Sequence, residues 1–262
     1  MKISSFITIT RPKERGDLFD QCYKAASGFS DEIVVIDGDE TWKKEFNWKI
    51  IGEHFQKGYE KSAGDWVIHL DTDFIFHEND YSAIRSVLSN LDNYPAVSFY
   101  KYQFILPDRY NLKSRLVLAV NKKRFGDRIK FNSGGDLCQP SLDGNYIDPS
   151  IVPEAKIPFY NYEKLIKTEE QIKDDVGRME RAFKRHFKRF QLSEDGTDEN
   201  AYKFWLEMMI GRFNKPSKHV DFHFHPETIK ETILNLTEAN WGYSGFGYLE
   251  ENDYVKSGLC SR

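Results

Sequence analysis

The sequence predicts an α/β protein: a mostly parallel sheet flanked by helices, followed by a helical C-terminal extension. Three observations predict it. Apolar, β-rich runs alternate with amphipathic helical stretches through the first hundred residues, the order that builds parallel strands joined by crossover helices. Two of these runs, Ile33-Val34-Val35-Ile36 and Trp66-Val67-Ile68-His69-Leu70, are nearly continuous in apolar residues, as strands covered on both faces are. Both lead directly into acids, Asp37-Gly38-Asp39 and Asp71-Thr72-Asp73. Ligands of such sheets bind beyond the carboxyl ends of the strands, so the two acidic clusters mark the edge where a site is expected.

The elements follow in order. Ile3 to Ile9 is β-rich and reads as the first strand. Residues 13–27 place Leu18, Phe19, Cys22, Ala25 and Ala26 on one helical face, with Gly28 as the stop. After the strand ending at Asp37, Trp48 to Ile51 is a short third strand candidate. Residues 53–63 form a helix through Phe55, Tyr59 and Ala63, closed by Gly64. The strand from Trp66 is followed by a helix whose apolar face is Tyr81, Ile84, Val87, Leu88 and Leu91. Val97–Leu106 and Arg115–Val120 read as longer strands, and 124–160 as loop-rich. Residues 163–190, 198–213 and 226–236 read as helices, and Trp241 to Tyr248 as an aromatic, glycine-rich stretch suited to a strap on the core or to stacking on a sugar. A division at 160 separates a binding and catalytic unit, 1–160, from the helical extension, 161–262, which could pack on the same sheet.

The bulk properties are those of an ordinary globular chain. With 262 residues, 40% hydrophobic and 30% charged, it can bury a sizeable core. A formal net charge of −4 gives no global attraction to nucleic acid or to an anionic membrane. The basic stretch through Arg178, Arg181, Lys184, Arg185, Lys188 and Arg189 recurs at helical spacing and reads as a solvated cationic face; gripping nucleic acid or another polyanion is its rarer use. Cys22, Cys138 and Cys260 lack metal-ligand spacing and form no disulfide framework, which fits a reducing compartment. No run approaches the roughly 20 apolar residues that span a bilayer, and no export signal is legible, so a cytoplasmic location is expected and the Asn235-Leu236-Thr237 sequon reads as unused.

Asp71-Thr72-Asp73 carries the sharpest chemistry. Two carboxylates one residue apart, just past a buried strand, can reach one divalent ion directly or through its waters. Set between Trp66–Leu70 and Phe74-Ile75-Phe76, such acids are costly unless paired or metal-bound. Asp37 and Asp39 taken alone would be an ordinary Asp-Gly turn; their register with the second acidic strand end raises them to candidates. Asn132-Ser133-Gly134-Gly135-Asp136 joins glycines that permit close backbone approach to an acid able to accept a proton, with a plain hairpin turn as the even alternative and Asp143 and Asp148 as rivals. His223 and His225 alternate on a strand-like segment after His219, so their side chains are expected to share one face; a solvated pair beside the helix start at Pro226 is the plainer reading, and a metal, zinc included, the other.

Taken together, Ile3–Thr10, then Asp31-Glu32-Ile33-Val34-Val35-Ile36-Asp37-Gly38-Asp39, then Gly64–Asp73 resemble the opening of family 2 glycosyltransferases with the GT-A fold, over the first third to half of the chain. The resemblance implies a nucleotide-diphosphate sugar donor, a uridine-diphosphate sugar first among them, with Mn²⁺ or Mg²⁺ as cofactor and an acceptor that the sequence leaves open. By matched position, Asp37 would contact the nucleoside, Asp71 and Asp73 would hold the metal and donor pyrophosphate, and Thr8, Thr10 and Arg11 would lie near base and ribose. A downstream acid, at Asp136, would be the catalytic base of an inverting transfer, and a C-terminal histidine such as His223 could complete the metal site. The chain departs from the family after the first acid, where Gly38-Asp39-Glu40-Thr41 stands in place of a serine-containing segment, so Asp39 could take the contact assigned to Asp37. Two rivals stay open: a nucleotidyltransferase, disfavoured because Arg11-Pro12-Lys13-Glu14-Arg15-Gly16 has too little glycine for a triphosphate loop, and a non-catalytic nucleotide- or carbohydrate-binding module, disfavoured by the paired Asp71 and Asp73.

Overall fold

A computed structural model of the chain describes residues 1–38, 48–131, 139–189, 195–213 and 217–247. In chain order these are β1 (Ile3–Ile9), α1 (Pro12–Arg15), α2 (Phe19–Ser27), β2 (Glu32–Asp37), α3 (Trp48–Lys61), β3 (Trp66–Leu70), β4 (Phe74–Ile75), α4 (Tyr81–Asn90), β5 (Ala96–Leu106), β6 (Arg109–Asn121), α5 (Lys122–Phe125), β7 (Ile129–Lys130), β8 (Ser141–Leu142), β9 (Asn145–Tyr146), β10 (Glu154–Asn161), α6 (Glu169–Phe187), α7 (Asp198–Phe213), β11 (Lys218–His219), α8 (Glu227–Leu234) and α9 (Trp241–Ser244).

The main sheet runs β2-β1-β3-β6-β5-β10-β4, with β11 added to β6, and β7-β8-β9 make a small second sheet. β1 pairs parallel with β2 and β3, and β5 with β10; β6 is inserted antiparallel between β3 and β5, so β1, β2, β3, β5 and β10 all point one way. The result is a mixed α/β protein with a mostly parallel central sheet flanked by helices.

Apolar periodicity decides which face each helix covers. On one face, Cys22 and Ala26 of α2 and Ile84 and Leu88 of α4 pack with Phe29 on Ile3, Ile7, Ile68, Leu70, Val97 and Phe99. On the other, Phe55 and Tyr59 of α3 meet Phe6, Val67 and Val120, joined by Ile129 and Phe131 beside the small sheet. At Gly58 a Cβ would lie 2.5 Å from the Phe6 ring, so glycine lets α3 sit close to β1. The helices after residue 161 close the far end of the sheet: α6 and α7 pack with Trp241 on Ile105 and Leu106, and Ile229 and Ile233 of α8 pack on Phe104, Tyr160 and Tyr162. Among the described residues, no helix is long and apolar enough to cross a membrane.

The structure corrects several sequence readings. Trp48–Ile51 begins α3 and is no strand; a four-residue apolar run fits either period, and Ile51, Phe55 and Tyr59 continue it at helical spacing. The helix read over 13–27 is two, broken where Gly16 takes a left-handed φ of 64°. The helix read from 163 starts at Glu169, because Thr168 and Gln171 form a reciprocal capping box. The region read as loop-rich holds β10, which pairs with β5 inside the sheet. Pro158 obscures that strand in the sequence and is accommodated by a shift in register between Ala155 and Pro158.

Candidate functional site

The register of three parallel strands builds the site edge. β1 lies between β2 and β3, with Ile9 opposite Asp37 and Ile7 opposite Leu70, so their carboxyl ends bring Thr8-Ile9-Thr10, Asp37-Gly38 and Asp71-Thr72-Asp73 to one edge. Asp37 is exposed there, Thr8 is half-buried and Thr10 is buried. A Cβ at Gly38 would lie 2.8 Å from the His54 ring and 3.0 Å from the Thr10 hydroxyl, so both side chains close around the backbone that follows Asp37. Arg11 then adopts φ 44°, ψ 53° just before Pro12 opens α1. A non-glycine residue pays roughly 1–2 kcal/mol for that left-handed conformation, and such strain concentrates at ligand sites.

The second acid cluster is held from below and from the side. His69, the buried penultimate residue of β3, stacks on Phe6, meets the Phe55 ring at a tilt and places Nε2 3.3 Å from Asp71 Oδ1. Asn161, fully buried at the end of β10, donates its side-chain amide to Asp73 Oδ2. Strand pairing makes that contact possible, because β4 follows Asp73 directly and sets Phe74 opposite Asn161. Burial pushes the Asp73 carboxyl up to about 7, with the nearby Glu163 and Asp71 carboxylates adding to the rise and Lys101 opposing it. Burial would raise Glu163 too, but the ammonium groups of Lys164 and Lys101 outweigh it and hold that carboxyl down to about 2. Lys101 reaches over the Phe74 ring, 5.4 Å from its centroid, and forms no ion pair among the described residues.

Behind the acids lies a buried ion network. Asp175 of α6 sits 3.2 Å from Lys164, 2.6 Å from Arg178 and 3.7 Å from Arg15, and also pairs with Lys167, which reaches Asp17 at 3.1 Å. Burial alone would raise the Asp175 carboxyl; these cations outweigh it and hold it far below the usual carboxylate range. A cavity of about 250 Å³ opens between α1 and α6, lined by Thr10, Arg11, Arg15, Gln171, Asp175 and Arg178 among others.

The structure therefore brings together Thr8, Thr10, Arg11, Asp37, Asp71 and Asp73. Asp39 and Asp136 lie outside the described residues. Phe131, just before the Asn132–Asp136 segment, packs its ring against Phe6 and His69, beneath Asp71. Of the rival acids, Asp143 is exposed, forks onto Arg128 at 2.6 and 3.0 Å and is held below its ordinary value by that guanidinium. Asp148 accepts the Ser150 backbone N–H at 2.7 Å and is likewise lowered.

The histidines do not share a face. His223 is exposed on a 3₁₀ turn, whereas His225 is buried with both ring nitrogens engaged, one by Tyr162 at 2.8 Å and the other by the Pro107 carbonyl at 2.7 Å. His219 is exposed on β11. A turn capped by Asp221 replaces the strand on which the shared face depended. Among the described residues, no three His, Cys, Asp or Glu side chains converge as a metal cage.

Sequence reading missed His69, Lys101, Asn161 and Glu163. His69 was visible as the one polar residue of an apolar strand; the other three become neighbours of Asp73 only through the pairing of β10 with β4 and β5. In comparison with known proteins, the chain matches no family model, and no curated protein matches it in sequence.

Proposed function

We propose that this chain is a metal-dependent glycosyltransferase of GT-A type that moves a sugar from a nucleotide-diphosphate sugar to an acceptor hydroxyl with inversion. The observation that carries the reading is the convergence of Asp71 and Asp73 with Asp37, Thr8 and Thr10 on the carboxyl edge of β1, β2 and β3. Asp73 accepts the Asn161 amide on one oxygen, Asp71 sets one oxygen 3.3 Å from the His69 ring without a hydrogen bond, and the second oxygen of each has no protein hydrogen-bond partner among the described residues. Two carboxylates without a third protein ligand suit Mg²⁺ or Mn²⁺, which keeps waters and takes substrate phosphates, better than zinc in a closed protein site. A cation there would also offset the burial and the neighbouring carboxylates that raise Asp73.

In this reading Asp71 and Asp73 hold the ion, which when bound offsets charge on the departing diphosphate. Lys101 offers a further positive group beside Asp73 to the same anion. Asp37 accepts a hydrogen bond from the nucleoside, with Thr8, Thr10 and Arg11 around base and ribose. Asp136 takes the proton of the acceptor hydroxyl as the new glycosidic bond forms and the bond to the diphosphate breaks. The ion pair at Asp143 and the turn at Asp148 disfavour the rival acids.

A thermal-shift screen of nucleotide-sugars with and without Mn²⁺ tests the proposal. A ligand that binds only the folded state raises the melting temperature in proportion to RT ln(1 + [L]/Kd). One nucleotide-sugar should stabilise the chain strongly with Mn²⁺ and weakly without it. Stabilisation by nucleoside triphosphates alone would point to nucleotidyl transfer instead.

A further inference from the structure

His69 is an anomaly within β3. The rest of that strand is Trp66, Val67, Ile68 and Leu70, all buried, and the imidazole is buried with them at 5% exposure. Aromatic rings fix its plane: Phe6 stacks on it at 4.9 Å, Phe55 lies tilted at 3.9 Å and Phe131 meets it edge-on at 6.3 Å. Packing alone would favour phenylalanine or leucine there, because a buried polar atom without a partner weakens the fold. Nε2 is such an atom: it is closed to solvent and has no hydrogen-bond partner among the described residues. It lies 3.3 Å from Asp71 Oδ1, within hydrogen-bond distance but out of line. The two partners differ in freedom. The imidazole is held by its ring contacts, whereas the Asp71 side chain is 39% exposed. The Asp71 backbone is held as well, since its carbonyl accepts the Phe74 N–H at 3.0 Å and the Cys22 thiol at 3.4 Å. A turn of the Asp71 carboxylate about its own side-chain bonds is therefore the motion that completes the bond.

We propose that His69 is a positioning residue for Asp71: its Nε2–H donates to one carboxylate oxygen and so orients the other to hold the divalent cation. This role rests on the reading of Asp71 and Asp73 as metal-holding acids. The imidazole itself touches no ligand, because Nε2 is shut off from solvent. Groups that hydrogen-bond a metal ligand from behind fix its orientation and raise its affinity for the ion, and they matter nearly as much as the ligand. In the empty site the bond is incomplete and the buried nitrogen counts against folding; once Asp71 holds the cation, the bond forms and that penalty is relieved. A group that weakens the empty fold and strengthens the loaded one is thereby distinguished from a group that merely packs.

The test compares the wild type, His69→Phe and His69→Gln by ligand-free melting curves and by Mn²⁺ titration of the melting shift in uridine, guanosine, cytidine and adenosine diphosphate. Phenylalanine keeps a ring against Phe6 and Phe55 and removes the donor, whereas glutamine keeps an N–H donor that reaches as far as Nε2. Without ligand, His69→Phe should melt at or above the wild-type temperature. With nucleoside diphosphate it should need about tenfold more Mn²⁺ to reach half the shift, and His69→Gln should recover most of that affinity. A wild-type Mn²⁺ dependence that His69→Phe shares unchanged overturns the role of His69 and leaves the metal site standing. Equal losses in the two variants, or a ligand-free His69→Phe that melts far below the wild type, overturn it too. Absence of any Mn²⁺-dependent shift in the wild type overturns the reading of the two acids, and the role of His69 with it.

Discussion

The side-chain amide of Asn161 donates to Asp73 across 88 residues of sequence, tying the last residue of β10 to the second acid of the Asp71-Thr72-Asp73 cluster. Asn161 is fully buried, and among the described residues its own Oδ1 has no hydrogen-bond partner, so its placement serves Asp73 more than itself. Among the described residues, the amide supplies the one direct hydrogen bond to a carboxyl that burial and like charge push toward neutrality. Asn161→Ala should leave the fold intact and weaken metal-dependent binding of nucleoside diphosphate by about 10- to 100-fold, the range for losing an outer-sphere partner of a metal ligand. A Mn²⁺ titration of the diphosphate-induced melting shift checks it. An unchanged titration would remove Asn161 from the site.

Asp37 ends β2 opposite Ile9 and is exposed, as a group that greets a ligand should be. A hydrogen bond to base or ribose is present in ground and transition states alike, so its loss raises KM and leaves kcat nearly unchanged. Asp37→Ala should therefore raise the donor KM by about tenfold, the effect of roughly one hydrogen bond to a charged group. Steady-state kinetics with varied donor separates the two constants, and a fall in kcat at saturating donor would contradict the assignment.

His225 makes acid sensitivity a property of the fold rather than of the site. Burial lowers its imidazole from the ordinary 6.5 to about 4, despite the partly offsetting bond to Pro107. The folded form thus takes up a proton less readily than the unfolded chain. The stability held by neutral His225 is complete above pH 6.5 and is lost as the pH falls from there to about 4. That interval corresponds to about 3 kcal/mol. His225→Phe should be less stable at pH 7, because Tyr162 and the Pro107 carbonyl lose their partner, yet should show a shallower decline toward pH 4. Urea midpoints of both proteins across this range measure it; parallel curves would refute the assignment.

Asp136→Asn keeps shape and removes basicity. Donor-induced thermal stabilisation should survive, while transfer falls by about 10²- to 10⁴-fold. The anomeric configuration of the product, read beside that rate, completes the test: retention, or near-normal transfer by the variant, excludes Asp136 as the base.

How far the sequence discloses this molecule depends on the range of the interactions. β1, β2 and β3 were legible because each is a β-rich or nearly continuous apolar run, and the acids after two of them mark the strand ends. α4 was legible from its apolar spacing and α7 from its length. Trp48–Ile51 was misread because four apolar residues carry no period of their own, and β10 was hidden by a proline that a register shift absorbs. The candidate site divides in the same way. Asp37, Asp71 and Asp73 come from local signals, whereas Asn161, Glu163 and Lys101 reach Asp73 through strand pairings between distant segments, which no single-sequence pattern encodes.

The most direct measurement is release of nucleoside diphosphate from the nucleotide-sugar that stabilises the chain, compared for the wild type, Asp71→Asn and Asp73→Asn, in Mn²⁺ and in chelator. The proposed role of the two acids predicts wild-type turnover only with metal, a fall of about 10²-fold or more in each variant, and melting curves that show every protein folded. Undiminished turnover by both variants, or wild-type turnover that persists in chelator, would contradict it.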